Sequence, residues 1–202
     1  MRSFGEIDTI AKRASKGVGF SWGVAEEVGK NIKLLETYGL PGLKNLNEYF
    51  NSLQVKKFQN LTFISNENQS KIPYCPIIAG ISFLDQVEEI KDLVNIKIEN
   101  MSYPILFLPF LSRASEIVGK KISLKIDEKI FLLNFNQNIY SNYFSDEILP
   151  NSNVVEINFI ENKNTFDQNV WDNMYKLSTN TFVDETDELK KSAAGAGLTD
   201  ND

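Results

Sequence analysis

Apolar positions recur at helical spacing over the first fifty residues, and from there the pattern shifts toward strands. Phe4, Ile7, Ile10, Ala11 and Ala14 fall on one helical face, Arg13 lies roughly opposite, and the capping-box spacing Ser3-Phe4-Gly5-Glu6 starts that helix at Phe4. Gly17 and Gly19 end it. Ser21 is an N-cap for a second helix that reaches about Tyr38 and stops at Gly39 and Pro41, with Ala25, Val28, Ile32 and Leu35 on its buried arc. Pro41 suits the first turn of a third helix whose apolar face is Leu43, Leu46, Phe50 and Leu53.

From Val55 to Ile64 the pattern predicts strand, followed by a polar loop from Ser65 to Lys71. Pro76 to Asp92 keeps helical spacing through Ile77, Ile81, Leu84 and Val87, although Ile77 to Ala79 alone also reads as buried strand. Val94, Ile96 and Ile98 alternate as in a strand, and the continuous run Ile105 to Leu108 predicts a strand buried on both faces. Phe110, Leu111, Ala114, Ile117 and Val118 return to helical spacing before Gly119. Ile122 to Ile126, a turn at Asp127-Glu128 and Ile130 to Phe135 predict a hairpin, with further strands at Asn138 to Phe144 and Val154 to Phe159. A second capping-box spacing, Thr165 to Gln168, opens a helix with Val170, Trp171, Met174 and Leu177 on one face. After Phe182 the periodicity fails. The expectation is an α+β fold in one domain: a helical unit (1–53) packed on a mostly antiparallel sheet of about five strands with additional helices (54–182), and a tail (183–202) folding back onto the core.

Composition narrows the chemistry. The net charge of −6 argues against a nucleic-acid partner, since phosphate binding needs concentrated Lys and Arg. The apolar runs are too short for a membrane span, and the opening Met1-Arg2-Ser3 lacks the apolar core of a secretory signal, so a cytoplasmic protein is expected. With no histidine and Cys75 as the single cysteine, the usual zinc sites and every imidazole triad are excluded. Acid–base work falls to carboxylates, Lys, Tyr or Cys75, and any metal would be a hard cation such as Mg2+ held by oxygens. Composition names no cofactor and no oligomeric state.

The stretch Gly17 to Gly29 concentrates candidate chemistry. It lacks the third glycine of a dinucleotide fingerprint, follows a helix rather than a strand, and has no P-loop Lys-Ser/Thr ending. Glu26 and Glu27 already complement the helix dipole, so a cationic ligand or metal fits there better than an anion. By helical projection Glu26 sits beside Trp22 and Gly29 at one edge of the buried arc and Glu27 at the other, which makes Trp22 and Glu26 one candidate pocket wall with Gly19, Ser21 and Glu27 nearby. The competing reading has Trp22 in the core, the glycines allowing close helix packing and both glutamates solvated. Cys75, ahead of Pro76, would sit at a helix cap where the dipole favours thiolate; the alternative is a buried small hydrophobe. At the other end, Asp200, Asp202 and the terminal carboxylate form an oxygen cluster able to hold a hard cation, although such tails commonly serve solubility.

Ala11-Lys12-Arg13-Ala14, followed by Gly17-x-Gly19-Phe20-Ser21-Trp22-Gly23-x-Ala25-Glu26-Glu27-x-Gly29, resembles the N-terminal signature of an uncharacterised bacterial domain-of-unknown-function family. The closing Gly195-Ala196-Gly197-Leu198-Thr199-Asp200-Asn201-Asp202 is similar to its C-terminal signature, and Cys75-Pro76 has a counterpart between them. Asn180 and Lys190 depart from the pattern, which favours Arg at both places. The resemblance implies no activity, but it implies that the tail belongs to the motif set. Two functions follow as expectations. One is a small polar ligand held between Trp22, Glu26 and the tail, with Glu26, Asp200 and Asp202 as acid–base or metal-holding groups and Gly19, Ser21, Glu27, Gly195, Gly197, Thr199 and Asn201 around it. The other is a structural module whose tail docks on a partner or second copy.

Overall fold

The computed structural model describes residues 2–134, 136–143 and 145–182. The helix α1 (Phe4–Gly17) begins where the capping box places it: Ser3 Oγ accepts from the Glu6 amide at 3.2 Å and Glu6 Oε2 accepts from the Ser3 amide at 2.8 Å. Its buried stripe differs from the predicted face. Ala11 and Ser15 are buried, while Phe4 and Ile10 are 46% and 57% exposed. The reason is Gly29 on α2 (Trp22–Thr37): a Cβ there would lie 2.9 Å from the Asp8 carbonyl and 3.1 Å from Lys12 Cβ, so α1 rests its Asp8–Lys12 turn directly on the α2 backbone. Close approach favours small residues at the contact, and the larger ones turn outward. Ala25, Val28, Ile32 and Leu35 of α2 are buried as expected, and Asn31 joins them.

The third helix, α3 (Gly42–Leu53), takes Pro41 as its cap rather than in its first turn, and buries Asn45, Leu46, Tyr49 and Ser52, whereas Leu43 is 38% exposed. The strand predicted over Val55 to Ile64 is absent; only Gln59 makes an isolated bridge, to Tyr74. The expected polar loop contains the short β1 (Glu67–Asn68) instead. Pro76 to Asp92 is helical, as α4 (Pro76–Asp85) and α5 (Val87–Ile90), broken at Gln86 whose side chain donates to the Thr62 carbonyl. After β2 (Ile96–Ser102), the apolar run read as a strand is a 3-10 turn at Pro104–Leu106 leading into α6 (Leu108–Val118). A fully buried run has no alternation to separate strand from helix, and Pro104 and Pro109 fit helical first turns.

The hairpin β3 (Lys121–Ile126) and β4 (Lys129–Leu133) turns at Asp127, whose φ is 52°. With β5 (Ile139–Ser141) and β6 (Asn151–Ile160) it completes a six-stranded sheet in the order β1-β2-β6-β3-β4-β5, antiparallel except for β1 with β2. The last strand among the described residues is thus central. Ile96, Ile157 and Leu124 align across β2, β6 and β3 on the core face, and Lys97, Glu156 and Lys125 align on the other. Opposite charges directly across the ladder suit a polar face. Helices α4 and α6 pack beside one another on the core side, where Phe83 and Phe107 meet edge-on at 5.8 Å.

Among the described residues, 163–182 belong to a second compact unit. Its helix α7 (Gln168–Ser178) is capped by Asp167, which accepts from the Val170 amide at 2.9 Å, rather than by the predicted Thr165. Within this unit Phe166 stacks on Trp171 at 5.8 Å. Among the described residues no helix is long and apolar enough to cross a membrane.

Candidate functional site

The turn between α1 and α2 builds one wall of a groove. Gly19 has φ 107°, a conformation that side chains avoid, and the Phe20 amide returns to the Ser15 carbonyl at 3.2 Å, so the chain reverses within four residues. Ser21 then caps α2, its Oγ accepting from the Val24 amide at 3.4 Å. Gly19, Phe20, Ser21 and Val24 line a groove of about 440 Å³; Tyr49 and Leu53 of α3, the loop residues Lys56, Phe58 and Asn60, and Cys75 and Ile78 at the start of α4 complete it.

Cys75 is held in place from three sides. Its amide donates to the Gln59 carbonyl at 2.9 Å, its Sγ accepts from the Ile78 amide at 3.4 Å as N-cap of α4, and the Tyr49 hydroxyl donates to Sγ at 2.9 Å. Next to it, the Tyr74 amide donates to the Asn100 carbonyl and the Ser102 amide to the Tyr74 carbonyl, so the strip Gln59–Tyr74–Met101 anchors the groove floor to the end of β2. The aromatic rings of Phe58 and Tyr103 meet Tyr49 at 5.2 and 5.7 Å.

The cap position expected for Cys75 is therefore present, and the thiolate is not favoured there. Cys75 is 3% exposed, and burial pushes its thiol pKa above the ordinary value, outweighing the hydrogen bonds that pull it down. Burial likewise raises Tyr49 well above the usual phenol range. At neutral pH both groups keep their protons, so the pair offers a polar, uncharged spot at the groove base.

Trp22 and Glu26, one turn apart on α2, both face lysines of α1, and neither lines the groove. Trp22 is 56% exposed under Lys16 Nζ, 5.6 Å from the ring, and does not line the groove. Glu26 points to α1, where Lys12 Nζ lies 3.5 Å away in an exposed pair. Glu27 turns to the opposite edge, as expected, and is only 21% exposed; it pairs with Lys30 Nζ at 3.0 Å and with Arg113 of α6. Both carboxylates thus have cationic partners, Glu26 in an exposed pair and Glu27 in a more buried one. Of the predicted residues, Gly19, Ser21 and Cys75 are brought to one groove. Tyr49 and Lys56 were missed, although Tyr49 sits at helical spacing with Leu46 and Leu53. Gly195, Gly197, Thr199, Asp200, Asn201 and Asp202 lie outside the described residues. Among the described residues no group of three or more Asp, Glu or Cys side chains is placed to hold a metal ion. A larger concavity of about 590 Å³, between α1 and Leu43, contains none of the predicted residues.

Residues 2–75 match a family described as "Protein of unknown function (DUF3726)". No curated protein and no solved structure matches the chain. The matched segment ends on Cys75 and contains every groove-lining residue except Ile78.

Proposed function

We propose that the segment shared with this family of unknown function builds a binding groove for a small amphipathic molecule, a carboxylate with a short apolar body, and that the protein binds rather than transforms it. The observation that carries the reading is the convergence of the Gly19–Ser21 turn and Cys75, fifty-odd residues apart in sequence, on one groove. Phe20, Val24, Leu53, Phe58 and Ile78 supply apolar walls, while Lys56, Asn60 and Ser21 supply donors for a head group. Lys56 makes no ion pair among the described residues, which leaves its charge for an anionic head. The protonated Cys75–Tyr49 pair supports binding over nucleophilic catalysis, because the thiol is the poor form of the nucleophile. The cytoplasmic setting expected from composition suits a reduced, buried Cys75.

Octanoate, kept below its micelle concentration, is a suitable probe. Calorimetric titration of the full chain is expected to give saturable one-site binding, weakened roughly tenfold or more by Lys56→Glu, since loss of a charge-assisted contact at a site of this kind costs about 1.5–3 kcal/mol. Binding unchanged in Lys56→Glu would contradict the assignment of the head-group end.

A further inference from the structure

A separate concavity of about 330 Å³ lies between α1, α2, α6 and the turn joining β4 to β5, and it shares no lining residue with the groove. Asn31 of α2 forms part of its wall. This side chain is 3% exposed, and its Nδ2 is buried with no hydrogen-bond partner among the described residues. A buried amide donor left unpaired costs free energy unless something outside the chain accepts from it. The surroundings are cationic: Lys30, Lys33 and Arg113 line the same space, with Asp8 as its one carboxylate. Glu27 lies against Lys30 and Arg113 as their ion-pair partner, whereas Lys33 has no carboxylate partner among the described residues. Counting Glu27 and Asp8 against Lys30, Lys33 and Arg113, the space keeps one net positive charge around an unpaired donor, in a chain whose net charge is −6.

We propose that this concavity is a site for a small oxyanion, bound by the Asn31 amide and the Lys33 ammonium, with Arg113 set in place by Glu27. A cation would meet the wrong charge and the wrong hydrogen-bonding group, and an apolar ligand would find only Leu34. The oxyanion chemistry is common to phosphate esters and carboxylates, and the site is independent of the groove.

The experiment follows the thermal unfolding midpoint of the full chain with inorganic phosphate and, in a second arm, acetate, at ionic strength held constant with chloride. A rise in midpoint with either anion supports the site; phosphate alone assigns a phosphate ester, acetate alone a carboxylate. Two variants locate the effect. Asn31→Leu, which removes the unpaired donor, is expected to raise the midpoint without anion and to abolish the response. Lys33→Gln, at an exposed position, is expected to leave the anion-free midpoint unchanged and to weaken the response roughly tenfold. No response to either anion, an equal response in both variants, or a lowered anion-free midpoint in Asn31→Leu would each overturn the proposal, the last by showing that the amide serves the fold.

Discussion

Cys75 shows how a residue's surroundings reverse the inference its sequence position invites. Ahead of Pro76 it caps α4, and a helix N-terminus favours thiolate; burial opposes that and wins, because the thiol is 3% exposed. A pKa raised in the folded state means that the unfolded chain ionises first as pH climbs. Its contribution to stability is therefore fully present below the ordinary thiol range and is lost as pH rises above about 9. Urea midpoints are expected to hold steady from about pH 6 to 8 and to fall above about pH 9 less steeply in Cys75→Ala than in the native chain. A thiol reagent is expected to label native Cys75 at the rate of unfolding; rapid labelling at neutral pH would contradict a protonated, buried thiol. Glu26 and Glu27 teach the same lesson, since adjacent glutamates on one turn take partners on different helices, Lys12 on α1 and Arg113 on α6.

At the scale of elements, close contacts set the helix faces. Gly80 of α4 lies against Phe110 of α6, where an added Cβ would stand 2.1 Å from Cδ2 and 2.3 Å from Cγ of a ring that is 1% exposed. The ring has nowhere to go, so Gly80→Ala is expected to destabilise the protein by about 1–3 kcal/mol despite the better helix propensity of alanine. Chemical denaturation measures this, and a neutral or stabilising result would show that α4 and α6 can part freely. The same kind of contact explains what the sequence concealed. The boundaries of α1, α2 and the β3–β4 hairpin were legible because Ser3, Ser21, Gly39 and the Asp127 turn are local signals. The buried stripe of α1 was not, because Gly29 selects it from another helix. The run at Ile105 to Leu108 was misread because continuous burial erases periodicity, and in the stretch from Val55 to Ile64, where a strand was expected, only Leu61 and Ile64 are buried, from a loop, while Val55 and Phe63 face solvent and a single isolated bridge forms at Gln59. In the candidate site, Gly19, Ser21 and Cys75 were legible from local chemistry, whereas Tyr49 and Lys56 became visible only when α3 crossed the turn.

At the scale of the molecule, the family match and the fold have different extents. The matched residues 2–75 hold the groove walls, yet the groove floor is tied through Tyr74 to β2, and β2 pairs with β6, the last strand in sequence among the described residues. Tyr103 and Phe107, both outside the match, complete the core around Tyr49 and Phe83. The groove is therefore built by the matched segment and held open by the α+β body that follows it. The most direct test is a map of backbone amide chemical shifts on the full chain as octanoate is added. Binding in the groove predicts the largest shifts at Gly19, Ser21, Lys56, Asn60 and Cys75, with the α1 face around Ile10 unmoved; shifts centred on Ile10 and Leu43, or none at all, would contradict it.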